Sequence, residues 1–114
     1  MKAYIISFYQ QEISDDELSA FLKTRSAVLN LMQILPNTIF IVSDRNASDL
    51  AGLVEKKFPK AFFMIAEYLP HNSDGALTVE MWDFLNKPKR SRKVDNKVRR
   101  KRIAPKSKSA AERK

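Results

Sequence analysis

The chain has 114 residues, enough for one domain, with 44% hydrophobic residues, a formal net charge of +8 and no cysteine. The missing Cys excludes disulfides, thiolate zinc sites and cysteine nucleophiles. No stretch reaches the roughly 18 apolar residues of a membrane span, and the apolar run of MKAYIISFYQQ is too short for a secretion signal, so a cytoplasmic protein without a membrane partner is expected.

The net charge conceals a division. Residues 1–86 carry seven Lys/Arg and eleven Asp/Glu, a net −4, whereas residues 87–114 carry fourteen Lys/Arg and two Asp/Glu, a net +12. Hydrophobic residues thin out abruptly near residue 85. The reading is a folded acidic domain over residues 1–86 and a basic tail over 87–114, which has too little to bury to offset its chain entropy and is expected to be disordered when free.

In chain order, Lys2–Tyr9 reads as a strand, with Tyr4, Ile6 and Phe8 on one face and Ala3, Ile5 and Ser7 on the other. Ser14-Asp15-Asp16-Glu17 is a capping box, and its carboxylates sit at the positive end of the helix it opens. Capping accounts for that acidic cluster without any catalytic role. Leu18, Phe21, Leu22, Val28 and Leu29 lie close to one helical face, interrupted by Arg25 and Ser26.

Residues Leu31–Ser43 admit two readings: a helix prolonged to Leu35, or a hairpin of Leu31–Leu35, a Pro36-Asn37 connection and Thr38–Ser43. The hairpin is favoured, because Pro36 biases Leu35 away from helix and Thr38-Ile39-Phe40-Ile41-Val42 is β-branched and aromatic. Pro-Asn is not the preferred two-residue turn, which leaves a longer loop open. A second helix is predicted from Asn46, with Ala47, Leu50, Ala51, Val54 and Phe58 in register and Pro59 closing it. Ala61–Leu69 reads as a strand, Pro70–Gly75 as a polar loop, and Ala76–Asn86 as a short helix packing through Leu77, Met81, Trp82 and Leu85. Thr78, Val79 and Trp82 would also allow a strand there, and Pro88 ends the element.

The order β-α-β-β-α-β plus a terminal helix predicts an α+β, ferredoxin-like split βαβ domain, a four-stranded antiparallel sheet with two helices on one face. Because the strands are apolar on both faces, the opposite face needs a cover, either the last helix or a second copy of the chain. A homodimer is the preferred expectation.

The segments Tyr4-Ile5-Ile6-Ser7-Phe8-Tyr9, Thr38-Ile39-Phe40-Ile41-Val42-Ser43-Asp44, the helix after Asn46, Phe62–Tyr68 and Gly75-Ala76 through Trp82 together resemble the Cas-two-like group of ferredoxin-fold proteins. That group includes the CRISPR spacer-acquisition subunit, the SinR-like proteins and the type V antitoxin endoribonuclease, and the similarity spans residues 2–86. It is one of pattern, not of a specific fingerprint. Its nuclease members place an Asp at the end of the first strand, where a dimer can gather a metal. Here Tyr9 falls at that position, and a phenol does not replace a carboxylate on a hard cation. The resemblance therefore implies dimerisation and binding with nuclease activity lost.

Other chemistry is sparse. His71, the only histidine, stands in a loop with Asn72, Ser73 and Asp74 and reads as a solvated side chain. Gly52 and Gly75 cannot build a phosphate-cradling loop. Asp44 and Glu67, near strand ends, are candidates to stand in for the missing metal ligand, although strand-end carboxylates are usually just exposed. No catalytic residue, metal or cofactor is assigned.

The tail carries the clearest functional pattern. Lys87, Lys89, Arg90, Arg92 and Lys93 form one block, Lys97, Arg99, Arg100, Lys101 and Arg102 a second, and Lys106 and Lys108 a third. Such cations match phosphate oxygens and release counterions on binding. With no aromatic residue to stack on bases, the tail should hold the backbone with little sequence readout. Ser91–Ala104 can become helical on binding, with Val94 and Val98 as a thin apolar stripe. The blander alternatives are a solubilising tail, a nuclear import address, or a contact to an acidic membrane or protein.

The expectation is a non-enzymatic nucleic-acid-binding protein, RNA or a ribonucleoprotein slightly preferred over DNA, whose domain makes dimer or partner contacts. Two alternatives stand beside it. One is a metal-dependent Cas-two-like endoribonuclease or antitoxin using Asp44 or Glu67. The other is an inhibitor or adaptor whose acidic domain docks to a protein in a nucleic-acid complex.

Overall fold

The computed structural model describes residues 1–11, 13–33 and 35–91. The elements run β1 (Lys2–Phe8), α1 (Asp15–Lys23), β2 (Asn30–Met32), β3 (Thr38–Ser43), α2 (Ala47–Lys57), β4 (Phe63–Glu67), a 3-10 turn (Pro70–Asn72) and α3 (Val79–Asn86). The expected disorder of the tail and its helix over Ser91–Ala104 fall on residues 92–114, outside those described.

The four strands form one antiparallel sheet in the order β2-β3-β1-β4. With three helices this is an α+β architecture compatible with a ferredoxin-like fold. Tyr4 stands opposite Ile41 on one side and Glu67 on the other, which puts β1 at the centre of the sheet and leaves β2 and β4 as its edges.

Local chemistry explains the helix starts. The Ser14 side chain accepts from the Glu17 amide at 3.1 Å and the Glu17 carboxylate accepts from the Ser14 amide at 3.0 Å, the reciprocal capping box the spacing predicts. Asn46 caps α2 by accepting from the Asp49 amide at 2.8 Å, and Thr78 caps α3 by accepting from Met81.

Several boundaries differ from the sequence reading. α1 stops at the Thr24 cap, so Val28 and Leu29 are not on the helix but on the segment that leads into β2. There they remain buried, which is why they mimic helical spacing. The hairpin arrangement holds for Leu31–Ser43, but β2 covers Asn30–Met32 rather than Leu31–Leu35, and a loop through Asn37 connects it to β3. Asn37 adopts φ 57°, the left-handed region that Asn tolerates better than most residues. Its amide and carbonyl are both used, donating to Asp15 Oδ1 at 3.2 Å and accepting from the Phe8 amide at 3.1 Å. α3 begins at Val79, three residues later than predicted, where Thr78 supplies the cap.

The period-two pattern of the strands sorts side chains into two cores. Tyr4, Ile6, Phe8, Ile39 and Ile41 pack with Leu18 and Leu22 of α1 and Leu50 and Val54 of α2. Ala3 and Phe40, from the other face, pack with Tyr68 and with Met81 and Leu85 of α3, and Ile5, Met32, Trp82 and Phe84 join them. Of the two covers the apolar second face required, α3 supplies one. It does not reach the whole face. Phe62 is 74% exposed, Met64 64% and Tyr9 56%, at the end of β1 and β4 that α3 leaves open.

Candidate nucleic-acid interface

The site begins where α3 ends. The Lys87 amide donates to the Asp83 carbonyl at 2.9 Å, closing the helix, and Pro88 has no amide with which to continue it. The chain then lies along the open edge of the sheet. The Ser91 amide donates to the Leu29 carbonyl oxygen at 2.8 Å, and Asn30 Nδ2 donates to the Lys89 carbonyl oxygen at 3.1 Å. Leu29 is held from its other side, because its own amide donates to the Val42 carbonyl at 2.8 Å. The first residues of the basic segment are therefore tied to the start of β2, through the Leu29 carbonyl and the Asn30 side chain.

Two clefts flank this strapped segment. One, of about 470 Å³, lies between β2 and α3 and is lined by Asn30, Met32, Glu80, Asp83, Phe84 and Lys89 among others. Its charges are mixed. The second, of about 210 Å³, is lined by Ser26, Ala27, Leu29, Asp44, Arg45 and Arg90.

Of the predicted phosphate-binding residues, Lys87, Lys89 and Arg90 are described, and all three are solvent-exposed beside β2. Lys87 Nζ lies 3.6 Å from Asp83, an exposed i, i+4 pair of small energetic weight. Lys89 and Arg90 form no ion pair among the described residues. Arg92, Lys93, Lys97, Arg99, Arg100, Lys101, Arg102, Lys106 and Lys108 lie outside the described residues.

Arg45 has no distinguishing pattern around it in the sequence, yet it shares the smaller cleft with Arg90. Its position is set from inside the domain: Tyr4, buried in the first core, donates its phenol to the Arg45 carbonyl oxygen at 2.6 Å. Burial first, and the Glu67 carboxylate second, push the Tyr4 hydroxyl above its ordinary value, so it stays a neutral donor. The Arg45 amide donates to Ser43 Oγ at 2.9 Å, which fixes the loop leaving β3. A lone Arg after a strand carries no sequence signal for pairing with a residue 45 positions away.

The conceivable metal ligands are not brought together. Asp44 Oδ1 lies 3.1 Å from the Met1 amine and Glu67 Oε1 3.8 Å from Lys2 Nζ. β1 starts beside this pair and ends at Phe8, one residue before Tyr9, so at about 3.3 Å per residue they stand roughly 15–25 Å from Tyr9 within one chain. Among the described residues no three His, Cys, Asp or Glu side chains cluster as a metal site. His71, in the 3-10 turn, is exposed and hydrogen-bonded to no side chain among them. No described helix is long and apolar enough to cross a membrane.

No protein-family model, no characterised protein and no solved structure matches this chain.

Proposed function

We propose that this chain is a non-enzymatic nucleic-acid-binding protein: the basic segment from Lys87 onward holds the phosphate backbone, and a ferredoxin-like domain makes dimer or partner contacts. The observation that carries the reading is the charge division, with net +12 on residues 87–114 against −4 on the rest. The hydrogen bonds between Lys89 and Asn30 and between Ser91 and Leu29 support it, because they give the cationic segment a defined point of departure from the domain. RNA or a ribonucleoprotein is preferred over DNA by fold-level analogy alone. Action in the cytoplasm and kinship with the Cas-two-like group belong to the same proposal.

The second copy, in this reading, seats on Phe62, Met64 and Tyr9, the part of the sheet face that α3 leaves open. A protein partner of other identity would use the same patch. The reading is non-enzymatic because Tyr9 occupies the position of the nuclease carboxylate, and Asp44 and Glu67 lie at the other end of β1. No cleavage of short RNA or DNA with Mg²⁺ or Mn²⁺ is expected. Cleavage abolished by Asp44→Asn or Glu67→Gln would establish the endoribonuclease alternative instead.

The direct test is fluorescence anisotropy with labelled single-stranded RNA and DNA oligonucleotides. If the tail makes six to ten phosphate contacts, affinity should drop about 10³–10⁵-fold between 50 and 200 mM salt. Replacing Lys97, Arg99, Arg100, Lys101 and Arg102 together by Gln should remove most of the affinity. Binding that survives those replacements and ignores salt would reject the proposal.

A further inference from the structure

The cleft between the β3–α2 loop and the strapped segment brings together two arginines 45 positions apart in the sequence. Arg45 and Arg90 both line it, with Ser26 as a hydroxyl neighbour. Neither guanidinium is in an ion pair among the described residues. Their backbones are not free to drift. Arg45 is held through its carbonyl by the buried Tyr4 phenol and through its amide by Ser43. Arg90 lies between two hydrogen-bonded anchors, the Lys89 carbonyl on Asn30 and the Ser91 amide on Leu29. The one carboxylate that lines the cleft, Asp44, is paired with the Met1 amine at 3.1 Å.

Two cations sharing a small cleft repel one another, and a tetrahedral oxyanion between them turns that repulsion into charge-assisted hydrogen bonds. Guanidinium forks present donors in the geometry that phosphate oxygens accept, and a serine hydroxyl can add another. We propose that the Arg45–Arg90 cleft, with Ser26, is a phosphate seat on the folded domain that receives one phosphodiester of the bound nucleic acid. This rests on the proposed function and deepens it. The domain, acidic overall, then contributes one positioned backbone contact. The remaining cations add affinity, whereas this seat adds a fixed register between nucleic acid and domain.

The experiment uses the full chain, with Arg45→Gln and Arg90→Gln as variants and Lys60→Gln as an equal charge change on the loop between α2 and β4. Unchanged far-UV circular dichroism shows that each variant folds. With a single-stranded oligonucleotide, Arg45→Gln and Arg90→Gln should each reduce the slope of log K against log salt by about 0.7, the loss of one single-strand phosphate contact, beyond any effect of Lys60→Gln. In parallel, inorganic phosphate added to the isotope-labelled chain should give saturable shifts of the Ser26, Leu29, Arg45 and Arg90 amides that vanish in Arg45→Gln. If the parent chain binds the oligonucleotide and Arg45→Gln behaves like Lys60→Gln, the seat is wrong and the tail reading stands. If the parent chain shows the phosphate shifts but binds no oligonucleotide, the cleft is an oxyanion site and the nucleic-acid reading falls. Absence of both signals overturns both.

Discussion

Leu85→Ala tests whether α3 is a structural layer of the domain or a loosely attached end. Leu85 is 3% exposed and packs with Ala3, Phe40, Tyr68 and Met81. At about 0.8 kcal/mol per buried methylene, loss of its three outer carbons costs roughly 2.4 kcal/mol. Incomplete collapse around the resulting cavity raises this to about 3 kcal/mol. With a urea m value of about 1.5 kcal/mol/M for a domain this size, the midpoint should fall by about 2 M. The chain offers a local reporter, since Trp82 on α3 is its only tryptophan and is partly buried in the second core. Trp82 fluorescence should therefore follow α3, while far-UV circular dichroism follows the whole domain, and the two transitions should coincide in the parent. Val79→Ala, on the same helix at a position 75% exposed, should move the midpoint by less than about 0.5 kcal/mol equivalent. A Leu85→Ala midpoint indistinguishable from that control would refute the assignment of α3 as the cover of the second face.

Three further outcomes are expected. Tyr4→Phe should cost about 1 kcal/mol at neutral pH through the lost bond to the Arg45 carbonyl. Because the folded-state phenol titrates above its ordinary value near 10, the unfolded chain loses its proton first, so stability should decline as pH rises past about 10 in the parent. Urea titrations across pH 8–11 should show that decline diminished in Tyr4→Phe; an identical alkaline slope would contradict the buried donor. Ser14→Ala should destabilise α1 by about 1 kcal/mol, read from thermal melts, since it removes the acceptor for the Glu17 amide. Phe62→Ser combined with Met64→Ser should convert a dimeric mass to a monomeric one in light scattering after nucleic acid is removed, and a monomeric parent chain would reject self-association through this patch.

Much of the domain was legible in the sequence because its determinants are local. The Ser14–Glu17 box and the Asn46 cap define helix starts through bonds spanning three residues, and both form as the spacing requires. The near-continuous apolar runs of Lys2–Phe8 and Thr38–Ser43 call for a sheet with two buried faces, and both faces are buried wherever a helix lies over them. The charge division at residue 86 is a property of composition, and it carries the nucleic-acid reading. What misled was also local: Val28 and Leu29 keep helical spacing from Leu18 and Leu22, but Thr24 ends α1 and those side chains are buried from an extended segment.

Tertiary structure alone decided three matters. Only the packing of α3 on Ala3 and Phe40 determines how much of the second face is left open, because the area a short helix covers depends on where it docks. Only the sheet register separates Asp44 and Glu67 from Tyr9, since the length of β1 intervenes. And only the folded chain places Arg45 beside Arg90. Their meeting depends on a phenol buried at Tyr4 and a peptide hydrogen bond to Leu29, long-range contacts that no spacing within the sequence records.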